Sequence, residues 1–171
     1  MANHIAQKLG LSDIYCERIK LASALHDIGF IGVADDLITF KGEFTEEQHK
    51  AVQVHSLMGE AILGQSQRPV LKLASIIAGQ HHEHWDGQGY PNQLRGEDIH
   101  EAARITALAD AIEEMSSNKP YRKALPVEAI QQHLSDQLGK QFDPKIGQEV
   151  INVLPQLMAI KTDEKPALKQ A

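Results

Sequence analysis

Six side chains able to hold a metal ion stand where the surrounding sequence is apolar: His26, Asp27, His55, His81, His82 and Asp110. Tyr15, Ile19, Ala22 and Leu25 recur at helical spacing, and His26 continues their stripe four residues after Ala22, with Asp27 beside it. His55 falls within a stripe of Ala51, Val52, Gly59 and Ile62. Leu73, Ala74, Ile77 and Ala78 lead into His81 and His82, while Ala103, Thr106, Ala107 and Ala111 surround Asp110. Imidazoles and carboxylates aimed at a core are costly unless paired, hydrogen-bonded or metal-bound. A lone His on an apolar face is usually a satisfied core residue, and Asp27 alone could simply close a helix. Taken together, the six form the nitrogen and oxygen ligand set of a divalent-metal cluster supplied by four helices.

The remaining histidines carry no such signal. His49 and His133 read as solvated helix positions, His4 lies near the terminus, and His100 stands at a helix start. His84 reads as exposed. The single cysteine, Cys16, cannot form an internal disulfide and reads as a packing residue.

The elements that must position the six are helical, with no convincing alternation of period two. Short or long helices are expected over residues 3–9, 13–27, 45–63, 69–82, 99–116, 126–138 and 144–154. Ser12 is the expected N-cap of the second. Thr45-Glu46-Glu47-Gln48 matches a capping box, Pro69 suits a first turn, and Asp143-Pro144 reads as N-cap followed by N1. Residues 83–98 contain Gly87, Gly89, Pro91 and Gly96 and must be a long loop, of the kind that often carries function. The expected fold is all-α: a helical bundle of six to seven helices over residues 1–155, followed by a tail at 156–171.

The 171 residues suit one domain with a sizeable core, and 42% of them are hydrophobic. No apolar run approaches the roughly 18–20 residues of a membrane span. The opening residues lack the basic and apolar regions of a secretory signal, which makes the cytoplasm the expected location. A net charge of −6 with scattered Lys and Arg argues against general nucleic-acid binding. A small anionic ligand remains compatible with this charge where metal ions reverse the local field.

Leu25-His26-Asp27-Ile28-Gly29 resembles the His-Asp motif of the HD superfamily of metal-dependent phosphohydrolases. The eleven residues His81-His82-Glu83-His84-Trp85-Asp86-Gly87-Gln88-Gly89-Tyr90-Pro91 closely resemble the signature of its HD-GYP subfamily. His55 to Gly59, Ala109-Asp110, Lys119-Pro120-Tyr121-Arg122 and Phe142-Asp143-Pro144 resemble further segments in the same order, so the likeness covers nearly the whole chain. It implies an HD-domain bundle that hydrolyses cyclic di-GMP, a bacterial second messenger, to a linear dinucleotide or GMP.

The resemblance further implies two or three divalent metal ions, iron or manganese, held by His26, Asp27, His55, His81, His82 and Asp110. His26 and Asp27 would be catalytic, with Asp27 the bridge. Gly89, Tyr90 and Pro91 match the loop that shapes the substrate pocket, and Lys119 and Arg122 match basic positions near the ligand. Two metals about 3.5–4 Å apart clamp the oxygens of a phosphodiester and turn a bound water into hydroxide near neutral pH. Glu83 and Asp86 are candidates for orienting those ligands or for stabilising the loop, and Trp85 for anchoring it by packing.

Three departures accompany the likeness, the mildest being Glu113 at the acidic position after Asp110 and Lys119 at an arginine-like position. The family carries a further metal-binding His on a helix well before the His-Asp pair; the sequence begins too late to hold it, and His4 lies too close to replace it. Where the family motif continues with lysine, this chain has Phe30, which offers neither charge nor hydrogen bond. Three functions are therefore open: a cyclic di-GMP phosphodiesterase, an impaired module binding the nucleotide or a diguanylate cyclase-type partner, and a hydrolase of another nucleotide. The Gly-Tyr-Pro loop argues against the third.

Overall fold

Thr45 opens the longest helix of the first half by reciprocal capping. Its hydroxyl accepts from the Gln48 backbone N–H at 3.2 Å, and the Gln48 side chain accepts from the Thr45 N–H at 2.9 Å. Two of the orphan donors at the helix start are thereby satisfied. The structure, a computed structural model, describes residues 1–119 and 122–163. Its helices are α1 (Ala2–Lys8), α2 (Asp13–Ser23), α3 (Asp35–Ile38), α4 (Glu46–Gly64), α5 (Pro69–Gln80), α6 (Glu101–Met115), α7 (Val127–Gln137) and α8 (Pro144–Asp163). Short 3-10 turns cover Ile28–Gly32 and Gly96–Asp98. Among the described residues there is no strand, only isolated bridges at Lys119–Arg122 and Leu138–Phe142. No helix there is long and apolar enough to cross a membrane. The all-α expectation holds.

The core runs through the middle of the bundle. Ile5, Ile19, Ile77, Ile105, Leu108 and Ile112 are completely buried, drawn from α1, α2, α5 and α6. Each such side chain stabilises the fold by about 1.5–3 kcal/mol relative to exposure. Ile130, Leu134, Leu154 and Leu157 extend the core between α7 and α8. Cys16 is buried in the same core, as expected for a packing residue. Helix α5 packs against α4 and α2, and the Ile28–Gly32 turn lies on α4. That turn approaches so closely that a Cβ on Gly29 would stand 1.9 Å from the His55 carbonyl oxygen, so only glycine fits.

Three boundaries differ from the sequence expectation. Helix α2 ends at Ser23 rather than reaching residue 27, because bonds three residues back (Leu25 N–H to Ala22 O, His26 N–H to Ser23 O) tighten the chain into turns. Helix α5 likewise ends at Gln80, just before the histidine pair. Helix α8 continues past Pro155 to Asp163, and Leu157 is buried. A proline removes one helical N–H. The carbonyl that would have received it, that of Ile151, accepts instead from the Gln131 side-chain amide of α7 at 3.1 Å. Of the tail expected at 156–171, the first part is thus helical, and residues from 164 onward lie outside the described residues.

On α4 the buried positions are His55, Ser56, Gly59 and Leu63, whereas Ile62 is 46% exposed. The expected Ala51–Ile62 stripe is thus rotated: His55, Gly59 and Leu63 face inward at spacing four.

Candidate metal centre

Asp27 projects from the turns that follow α2, and its carboxylate is the meeting point of three imidazoles. His26 Nε2 lies 3.2 Å from Asp27 Oδ2, while His55 and His81 Nε2 lie 3.6 and 3.5 Å from Oδ1. Asp110 on α6 approaches from the other side, with Oδ1 3.8 Å from His26 Nε2. The rings of His81 and His82 are 4.0 Å apart, and His82 meets the His55 ring edge-on at 5.0 Å. All six residues singled out in the sequence are therefore brought together. The expectation that four helices supply them needs correction. Only His55 and Asp110 stand within helices; His26-Asp27 and His81-His82 follow the ends of α2 and α5, where tightened turns redirect the side chains.

Each of three imidazoles is oriented by its own backbone. His26 Nδ1 pairs with the Ser23 carbonyl at 2.8 Å, His55 Nδ1 with that of Val52 at 2.7 Å, and His81 Nδ1 with those of Ile77 and Ala78 at 3.0 Å. A carbonyl only accepts, so Nδ1 carries the proton and a neutral ring presents Nε2 as a lone pair. This is the outer support that metal-binding histidines require. His81 Nε2 is buried without any hydrogen-bond partner. One donor atom each from Asp27, His55, His81 and His82 lies within 4.8 Å of the other three. An orphaned nitrogen among convergent imidazoles and a carboxylate fits a divalent cation in both donor type and placement.

Electrostatics divides the centre. Burial, as the largest cause, and the crowding of neighbouring imidazoles push His82 down to about 3, and burial also lowers His55. Both rings are neutral at pH 7. At His26 burial opposes the charged form, but hydrogen bonds to Asp110 and Asp27 outweigh it and push the imidazole up to about 10. Asp27 is held well below the ordinary carboxylate range: burial resists this, yet the hydrogen-bonded His26 imidazole prevails. The hydrogen bond from His26 holds Asp110 low as well.

Aromatic rings wall one side. Phe30 stacks on His55 with centroids 4.3 Å apart and planes inclined by 12°, and Tyr90 stacks on His82 at 4.7 Å and 22°. Burial, then the Asp27 and Asp110 charges, raise the Tyr90 hydroxyl, which stays protonated. The sequence marked Phe30 only as a missing cation; its place against His55 had no signal in spacing. The opposite side opens at a cavity of about 270 Å³ whose lining includes His26, Asp110, Lys20, Ser23 and Thr106.

The loop after α5 is held by Glu83, which is 3% exposed and accepts from the N–H groups of Asn92 at 2.7 Å and Leu94 at 3.0 Å. Asp86 accepts from the Gln88 N–H. Of the two roles considered for these acids, loop stabilisation accounts for their bonds. Gly89 is required by approach, since a Cβ there would meet the His84 nitrogen at 2.2 Å, and the Tyr90–Pro91 peptide bond is cis. From outside, Trp85 and Asp86 N–H groups donate to the Gln141 and Lys140 carbonyls. Arg104 packs over Trp85 at 5.6 Å and pairs with Asp143, whose other oxygen caps α8.

Of the two basic positions, Arg122 has its side chain engaged elsewhere. Arg122 donates to the Glu114 and Met115 carbonyls at the end of α6, and Lys119 pairs with Arg122 through the backbone. Pro120 and Tyr121 of that motif lie outside the described residues. His100 is the N-cap of α6, its Nδ1 accepting from the Ala102 N–H at 3.1 Å.

Comparison with known proteins gives the same assignment. The HD domain family matches residues 1–146. A cyclic di-GMP phosphodiesterase of Thermotoga maritima is 32% identical over 165 residues, 96% of this chain and 45% of the relative. A 3'3'-cGAMP-specific phosphodiesterase of Vibrio cholerae is 34% identical over 157 residues, 92% of this chain and 30% of the relative. The chain thus spans less than half the length of these curated relatives. Two solved structures share the fold. A cyclic GMP-AMP specific phosphodiesterase of Vibrio cholerae superposes with a TM-score of 0.68 at 18% identity, over 96% of this chain and 44% of that one. An HD-GYP-type protein of Bdellovibrio bacteriovorus gives 0.66 at 24%, over 88% and 48%. With a matching profile, the His-Asp pair and the Gly-Tyr-Pro loop all in place, the chain belongs to the HD domain family, in its HD-GYP branch.

Proposed function

We propose that this chain is a cytoplasmic metal-dependent phosphodiesterase that hydrolyses cyclic di-GMP. The observation that carries the reading is the buried, unpartnered His81 Nε2 facing Asp27, among imidazoles already set in the metal-binding tautomer. His55, His81, His82 and Asp27 would hold one ion, and His26, Asp27 and Asp110 a second, with Asp27 shared. Iron or manganese suits such mixed imidazole and carboxylate sites. Bound there, divalent ions would supply Lewis acidity and hydroxide near neutral pH.

The residues themselves do the rest. The neutral rings of His55 and His82 keep lone pairs available, and the Val52 and Ser23 carbonyls fix the planes of His55 and His26. Phe30 and Tyr90 exclude water from one side, which strengthens every charge interaction inside. As ligands of the second ion, His26, with its Nδ1 proton held by the Ser23 carbonyl, and Asp110 would line the open side. Gly89, Tyr90 and Pro91 would shape the pocket on the walled side, Lys119 would lie near the ligand, and Arg122 would act only after leaving its carbonyl contacts. Protein loaded with iron or manganese should release linear dinucleotide or GMP from cyclic di-GMP. No turnover above a His26→Ala/Asp27→Ala control would overturn the reading.

Phe30 favours one second reading. An apolar ring occupies the position where the resemblance expects a lysine, so a phosphate there finds no cation. The chain would then be an impaired module that binds cyclic di-GMP or a partner such as a diguanylate cyclase-type protein. Calorimetry separates the two: binding without turnover supports the module, and absence of binding refutes it.

A further inference from the structure

The outer face of α4 and the Tyr90–Pro91 segment enclose a groove of about 220 Å³, lined by Lys50, Gln53, Val54, Leu57, Tyr90 and Pro91. It is separate from the cavity at His26 and Asp110, with which it shares no residue. Its wall is nevertheless continuous with the metal centre, because the Tyr90 ring that borders it lies stacked on His82. Val54 and Leu57 are 42% and 47% exposed, so two aliphatic side chains one turn apart stand open to solvent beside an aromatic ring and a proline. Two polar groups join them on the same helix face. The Lys50 ammonium makes only an exposed ion pair with Glu46, 2.7 Å long, a contact of small net value that a ligand can replace. Apolar flanks with a few placed polar groups are the mark of a small-molecule subsite.

We propose that this groove receives a guanine base of the substrate and that Lys50 and Gln53 determine the preference for guanine over adenine. The inference rests on the phosphodiesterase reading and adds the specificity residues to it. A base joined to a phosphate at the metal centre can lie flat between Leu57 and the Tyr90–Pro91 wall. Guanine offers two adjacent acceptors, O6 and N7, which suit an ammonium donor, and N–H donors that suit an amide oxygen. Adenine presents a donor where guanine has O6, which would face Lys50 without a partner. Val54 and Leu57 supply the flanks and no discrimination.

The test compares Lys50→Ala, Gln53→Ala and Leu57→Asp with the wild type on three probes: cyclic di-GMP, 3'3'-cGAMP, and bis(p-nitrophenyl) phosphate, which has no base. Binding of a fluorescent cyclic di-GMP derivative is measured in parallel, independent of turnover. Lys50→Ala and Gln53→Ala should each lower kcat/KM for cyclic di-GMP about tenfold relative to the base-free ester, the size of one lost hydrogen bond. They should also narrow the preference for cyclic di-GMP over 3'3'-cGAMP and weaken the fluorescent ligand. Leu57→Asp should weaken both dinucleotides equally. Equal losses on all three probes, or no change in either ratio, would overturn the proposal while leaving the phosphodiesterase reading intact. A wild type that cleaves none of the three would sink that reading instead. The fluorescent ligand then decides the groove: weaker binding by Lys50→Ala and Gln53→Ala supports it, and unchanged binding refutes it.

Discussion

On one side of Asp27, His55 and His81 are 1% and 3% exposed, their rings interlock with that of His82, and Phe30 and Tyr90 lie flat against His55 and His82. On the other, His26 and Asp110 border an open cavity, and His26 is bound by charge to both Asp110 and Asp27. The first side is preorganised by packing: burial keeps the His55 and His82 rings neutral, so their nitrogens are ready for a cation. The second is organised by a proton on His26, which a cation must displace. In the two-ion arrangement proposed above, one carboxylate would join positions that differ in what occupies them beforehand, and affinity should differ accordingly.

Removing the joint gives the largest effect. Asp27→Asn leaves both sides without their shared oxygen, and turnover should fall by on the order of 10³-fold, with metal content by elemental analysis falling in parallel. Full metal occupancy in this variant would show that the sides do not depend on Asp27. Next, the sides can be separated. His55→Ala should weaken the first ion by on the order of 10²-fold, whereas His26→Ala should retain it and lose the second. Equal losses in titration calorimetry would erase the distinction drawn above.

The third prediction concerns protons. The His26 imidazole is held near 10, so metal uptake at pH 7 on that side should release about one proton, seen as a dependence of the calorimetric heat on buffer ionisation enthalpy. His55 and His82 should release none, because both rings are already neutral. In the metal-free protein a raised folded-state pKa adds stability that is complete below 6.5 and lost progressively as pH rises through about 10. Asp27 and Asp110, held low, add stability above their ordinary range that is lost as pH falls through their depressed values. Thermal melts of metal-free His26→Ala should lack the alkaline decline. The smallest effect is that of Phe30→Ala, which uncovers His55. It should lower affinity on that side about tenfold and cost about 1–2 kcal/mol of stability for a half-buried ring. An unchanged first binding constant would mean that the ring only fills space.

Much of this was legible in residue types. The six ligand candidates, the capping box at Thr45, the Asp143-Pro144 helix start and the long loop follow from local chemistry that tertiary context leaves intact. Helix ends were less legible. His26 continues the α2 stripe on paper, but the chain tightens after Ser23, and the choice between a further helical turn and a 3-10 turn rests on packing against α4. Pro155 reads as a stop, yet Gln131 from another helix takes over the freed carbonyl. The Phe30–His55 stack and the groove beside Tyr90 arise from elements brought together only by the fold, so no spacing rule contains them.

The bonds from Trp85 and Asp86 to the carbonyls of Gln141 and Lys140, with Arg104 joined to Asp143, bear on how the chain is born. During synthesis the segment that carries His81, His82 and Tyr90 emerges well before the residues that brace it, and domains tend to form from the N-terminal end. A nascent chain stopped short of position 140 would already contain every proposed ligand but no clasp for the loop. The proposed ligands would therefore reach their final geometry only once the segment from Lys140 to Asp143 and the helix it opens have been made.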